Sequence, residues 1–98
     1  MIYILDCMAY DPYDYLELEN YAFKNKEDAK KYILKVMDKY TSNMGPERKY
    51  KCVEKTLGNN IDGLTDAVNL YRIDKDGHEH GIFRVYIKEY KIIDNYVD

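Results

Sequence analysis

Two stretches of this chain hold side chains whose types and spacing could do chemistry. The first is DKDGHEHG, residues 74–81, which carries both histidines with Glu79 between them. On an extended backbone His78 and His80 point to one side, as a pair of imidazole ligands does, with Asp74 or Asp76 as a third donor. A structural zinc site takes four ligands, and no further Cys/His pair stands nearby in the sequence. The Asp-x-Asp-Gly fragment begins like a calcium loop but lacks the later ligands and the bidentate Glu. A hydrophilic hairpin tip accounts for the same residues, with Asp and Gly serving the turn. The expectation is no cofactor and no resident metal. The alternative is a small metal- or ligand-binding protein that uses His78, Glu79 and His80, with Asp76 as an added ligand.

The second stretch is AYDPYDYLELENY, residues 9–21, which mixes tyrosines with carboxylates and has no lysine or arginine. Asp11, Asp14, Glu17 and Glu19 follow one another at spacings of two or three residues. An extended chain advances roughly 3.3 Å per residue, so neighbouring carboxylates lie on the order of 6–10 Å apart. That resembles the spacing of phosphates along a nucleic-acid strand, and tyrosine rings stack on arginine. Such a surface suits a basic groove on a protein partner. The partner-binding residues expected on this ground are Tyr10, Asp11, Tyr13, Asp14, Glu17 and Glu19. Leu16 and Leu18 are explained by folding, and Tyr15 and Tyr21 have a competing place at the rim of the core.

Enzymatic signatures are otherwise lacking. Cys7 and Cys52 fall in stretches that read as strands, where cysteine is usually a small buried hydrophobe. Thr41, Ser42, Thr56 and Thr65 sit in no nucleophile motif, and the five glycines are scattered at turns instead of forming a phosphate loop. Carboxylates for acid–base work exist in the 11–19 cluster, but nothing in the sequence places them in a desolvated pocket. The chain reads as non-enzymatic.

Composition narrows the partners further. The 98 residues fit one domain, 1–98, with a single modest core. There are 12 tyrosines, two phenylalanines and no tryptophan, so tyrosine must serve both core and surface. Richness in Lys, Asn, Ile and Tyr also fits an AT-rich genome. The formal net charge is −3, and its layout is uneven. Asp6, Asp11, Asp14, Glu17 and Glu19 precede Lys24 without a single base, and six lysines then follow by Lys39. An acidic chain without a dense basic stripe is not expected to bind nucleic acid by itself. A basic protein surface is the better electrostatic match. Two cysteines without a signal-like N-terminus point to the cytoplasm and to reduced, buried thiols, and no apolar run approaches membrane-spanning length.

The elements that must position these residues can be read from periodicity. MIYILDCM is a first strand with Ile2 and Ile4 on one face and Tyr3, Leu5 and Cys7 on the other, apolar enough on both to lie inside a sheet. AYDPYD turns the chain, and YLELENYAF alternates like a half-exposed second strand. In residues 26–40 Ala29, Tyr32, Ile33, Val36, Met37 and Tyr40 form one helical stripe, with Asn25 as N-cap and Gly45 and Pro46 beyond the end. RKYKCVEKTL reads as a strand and GNNIDG as a loop. Residues 64–74 fit helix or strand; a strand from about Val68 is preferred because DKDG is a turn and IFRVYIKEYKII after it a long strand. Phe83, Val85 and Ile87 should face the helix. The expected fold is α+β: an antiparallel sheet of four or five strands with one helix on one face, order (β)βαβββ. Its bare face or an exposed edge also allows a homo-oligomer.

FKNKEDAKKYI (23–33) and VYIKEYKIID (85–94) together resemble a loose group of small bacterial and phage proteins. These open with a short strand, place an aromatic residue before a Lys-Glu-x-Ala type helix start, and close on an aromatic-rich strand. The resemblance implies a small α+β fold and no active site. In general character the chain is also similar to phage accessory proteins, including anti-CRISPR inhibitors of host nucleases. That likeness implies an inhibitor of a nucleic-acid-handling defence protein.

Overall fold

The structure is a computed structural model that describes residues 1–57 and 63–94. Its elements run β1 (Ile2–Ala9), β2 (Ala22–Phe23), α1 (Lys26–Ser42), β3 (Lys49–Thr56), β4 (Leu64–Ile73) and β5 (Glu79–Tyr90). The strands form one antiparallel sheet in the order β2-β1-β5-β4-β3, and α1 lies across one face. This is the expected α+β arrangement with five strands and one helix.

Helix α1 forms where its local signals place it. The Asn25 side chain accepts a hydrogen bond from the Glu27 amide at 2.8 Å, satisfying one of the free amides of the first turn. Glu27 and Asp28 complement the positive helix end, and Lys39 the other. Ala29, Ile33 and Met37 are fully buried against Val68, Leu70, Phe83, Val85 and Ile87 of the sheet. Phe83, Val85 and Ile87 thus face the helix as alternation requires. The helix runs two residues past the expected end, because the Thr41 and Ser42 hydroxyls both bond the Asp38 carbonyl and prolong the last turn.

Four expectations need correction. Only Ala22 and Phe23 of the expected second strand pair with β1. The preceding residues coil instead, with Leu18 N–H donating to the Leu16 carbonyl and Tyr21 N–H to that of Glu19; such tight i to i+2 closures break a ladder. Leu16 is drawn into the core at 5% exposure, so residues 10–21 form a strap beside the sheet. Next, β4 begins at Leu64, four residues before Val68. Asp66 through Leu70 are all buried, and a strand covered on both faces loses the alternation that marks its start. The helical alternative for this segment does not occur. Third, β1 is flanked by β2 and β5, but β2 covers only Tyr3 and Ile4; the rest of β1 is an edge. Fourth, both cysteines are free but exposed. Cys7 lies on that edge and Cys52 on the outermost strand, its Sγ 3.3 Å from Met37 Sδ. Most of the GNNIDG loop lies outside the described residues.

The second face of the sheet carries Arg84 and Tyr86. Arg84 Nε donates to Asn69 Oδ1 at 2.8 Å and its guanidinium lies over the Tyr86 ring, which leaves Ala67 and Asn69 beneath without solvent contact of note. Among the described residues no helix is long and apolar enough to cross a membrane.

Candidate functional site

The strap begins where β1 ends. Tyr10 still donates its amide to the Ile82 carbonyl at 3.0 Å, and its ring lies over Gly81. A Cβ added at Gly81 would sit 3.2 Å from that ring, so this strand position suits glycine. Asp11 then caps the turn: its Oδ1 accepts the Tyr13 amide at 2.9 Å, and its carbonyl accepts the Asp14 amide at 3.0 Å. Pro12 fixes the backbone between them. Asp14 is half-buried beside Tyr40 of α1; desolvation, aided by the Asp14 charge, pushes the Tyr40 phenol above its ordinary value. Further along, Leu16 anchors the strap in the core, and the Glu19 amide donates to the Tyr32 hydroxyl at 2.8 Å. Tyr21 closes it with edge-on contacts to Phe23 and Tyr32.

These attachments divide the six residues expected to bind a partner. Tyr10 and Asp14 hold the strap to the domain, and Asp11 shapes its turn. Tyr13 has no such task and is 93% exposed, and Glu17 and Glu19 extend their carboxylates to solvent. Tyr15, assigned above to the core rim as a competing place, is 74% exposed and joins them. Tyr15 thus lies on the same side as Glu17 and Glu19, opposite Leu16 and Leu18, and not at the core rim.

Two open grooves flank the strap. One, of about 380 Å³, separates it from β1 and is lined by Leu5, Cys7, Tyr15, Leu16, Leu18 and Glu19 among others. The other, of about 540 Å³, separates it from α1, where Lys35 and Lys39 face Glu17 and Glu19. Among the described residues the groove on the β1 side has no basic lining.

The hairpin tip is organised around Asp74. Asp74 Oδ1 accepts the amides of Asp76 and His78, each at 2.9 Å, and Oδ2 meets His80 Nε2 at 2.8 Å. Gly77 supplies the positive φ of 85° that closes the turn. The His80 hydrogen bond, with the two amides, holds the Asp74 carboxyl below its ordinary value. Asp74, Asp76 and His78 bring one potential ligand atom each within 4.8 Å of one another. His80 stands on Asp74, and Glu79 turns across the sheet to Lys51 at 2.9 Å. His78 Nδ1 also approaches Asp74 Oδ2, at 3.6 Å, so both histidines gather on Asp74 while Glu79 turns away from them.

Neither thiol is primed for attack. Desolvation and the Asp6 charge push Cys7 up, and desolvation with Glu54 does the same to Cys52, so both carry less thiolate than a free cysteine. Comparison of the chain with family models, curated proteins and solved structures finds no match.

Proposed function

We infer that this chain is a non-enzymatic binding module whose acidic, tyrosine-bearing strap docks on the basic surface of a protein partner. The observation that carries the reading is Tyr13 and Tyr15 standing 93% and 74% exposed on a strap pinned at both ends. Large aromatic rings held out in water on a fixed backbone lose little entropy on docking and bury much area. Glu17 and Glu19 beside them select a basic counterpart. In its finer form, the partner is a nucleic-acid-handling protein, and the strap occupies the groove that takes phosphates, which makes the chain an inhibitor of the kind phages and mobile elements carry. Free thiols on a small domain suit the cytoplasm.

The test is capture of partners from the lysate of the source cell. Wild type should retain basic proteins that the combined variant Tyr13→Ala, Tyr15→Ala, Glu17→Lys, Glu19→Lys does not. The hydrogen bonds these positions make to the fold run through the main chain and survive side-chain substitution, so the variant should unfold at nearly the same denaturant midpoint. Identical capture by both proteins overturns the reading.

A further inference from the structure

The strap leaves part of β1 uncovered, and the geometry of that edge can be worked out. Tyr10 N–H bonds the Ile82 carbonyl, and the register Met8↔Arg84, Asp6↔Tyr86, Ile4↔Lys88 continues along β5. Backbone hydrogen-bonding groups alternate in direction along an antiparallel strand. The even-numbered residues therefore bond to β5, and Tyr3, Leu5, Cys7 and Ala9 point their N–H and C=O groups the opposite way. Tyr3 meets Phe23 of β2; Leu5, Cys7 and Ala9 have no strand beside them among the described residues.

The two edges of the sheet differ in how they are protected. The β3 edge carries Lys49, Lys51, Glu54 and Lys55, the charged pattern that discourages pairing with another chain. From Leu5 to Ala9 the β1 edge carries one charge, Asp6, along with exposed Met8 and Cys7. The groove beside it is lined by Leu5, Leu16 and Leu18, with Glu19 the charged residue of its lining. This is an unblunted strand edge with an apolar trough next to it.

We propose that the free edge of β1, from Leu5 to Ala9, takes an extended, lysine- or arginine-bearing segment of the partner protein as an added strand of the sheet. The segment's main chain pairs with Leu5, Cys7 and Ala9; side chains on the face of Leu5 and Cys7 enter the trough, whose lining includes Glu19, and the alternate, basic ones emerge on the other face beside Asp6. Strand addition of this kind draws affinity from main-chain bonds and selectivity from alternate side chains. A second copy of this chain fits poorly, because each copy would bring Asp6, Asp11, Asp14, Glu17 and Glu19 with no base before Lys24 against the same set. The charge of the occupant rests on the strap reading above; the place of docking does not.

Amide hydrogen exchange with a short capped peptide alternating lysine and valine tests this. At a peptide concentration about ten times its Kd, exchange at Leu5, Cys7 and Ala9 should slow about tenfold, while Ile4, Asp6 and Met8 stay as they were. The same peptide with alternate amides N-methylated, or with glutamate for lysine, should not slow them. Peptide binding that perturbs Tyr13 and Tyr15 but protects none of the three amides overturns the edge and leaves strap docking standing. Failure of the lysine peptide to bind overturns it as well. Protection without peptide, together with a dimer mass, also overturns it, in favour of a second copy. Slowing at the three amides, with lysate capture indifferent to the strap substitutions, would instead remove the strap reading and keep the edge.

Discussion

Asp66 is the residue on which helix and sheet are tied electrostatically. Its side chain is 5% exposed and faces Lys26 Nζ at 3.1 Å and Lys30 Nζ at 3.6 Å. Its buried Oδ2 has no hydrogen bond of good geometry, so the Lys26 contact there is an ion pair. Burial alone would raise this carboxyl; the adjacent Thr65 hydroxyl, the close Lys26 ammonium and the Lys30 charge outweigh it and hold it below its ordinary value. A fully buried pair loses about 3–5 kcal/mol when one partner is removed. Here the lysines remain 34% and 20% exposed and are rehydrated, so Asp66→Asn should destabilise the fold by about 1–3 kcal/mol. Because the carboxyl titrates lower folded than unfolded, its contribution is complete above about pH 4 and fades as pH falls through the lower folded value. Urea unfolding of both proteins against pH checks this: the gap should close in acid, and a gap independent of pH would show that packing, not charge, is at stake. Nothing in the sequence flags Asp66, since its partners lie on an element some forty residues earlier in the chain. The strap residues were legible by type but not by task. An acid that caps a turn, such as Asp11, and one that faces solvent, such as Glu17, are the same letter class until the backbone is known.

At the level of elements, α1 was legible because its determinants are local: an apolar stripe, a cap and a stop. The cap makes a quantitative expectation. Asn25→Ala should destabilise the domain by about 1 kcal/mol, whereas Asn25→Asp, which keeps an acceptor for the Glu27 amide, should leave it nearly unchanged. Thermal unfolding of the two variants separates lost capping from a general intolerance at position 25, which would lower both. The strap and β4 were less legible for opposite reasons. Residues 15–21 alternate like a strand, yet Leu16 entering the core and the Glu19–Tyr32 hydrogen bond, both long-range, pull the backbone out of register with β1. β4 is paired along both edges, by β3 and β5, and covered on both faces, by α1 on one and by Arg84 and Tyr86 on the other, so the helical and extended patterns overlap in the sequence. Pairing with two neighbours decides in favour of the strand, and pairing is not a property of eleven consecutive residues.

For the whole molecule, the uneven charge layout becomes a spatial one. The acids before Lys24 lie on β1 and the strap, with Glu19 lining the groove beside the β1 edge, and five of the six lysines that follow lie on α1, where Lys35 and Lys39 face Glu17 across the other groove. An edge without lysines of its own invites pairing with another copy, and within a Debye length of about 8 Å like charges on two such edges repel at physiological salt. The acids therefore have a second effect besides selecting a basic partner: they keep two β1 edges apart. Neutralising them without changing shape, by Asp6→Asn, Glu17→Gln and Glu19→Gln, should let the chain self-associate through β1. Sedimentation of the variant should then show a weight-average mass that rises with concentration more steeply than that of wild type. Adding Cys7→Lys, which places a charge on the edge itself, should reverse the rise. Glu54→Gln on β3 should have no such effect, because Lys49, Lys51 and Lys55 remain to blunt that edge. Equal masses for the neutralised variant and wild type at every concentration would show that the acids do not guard β1.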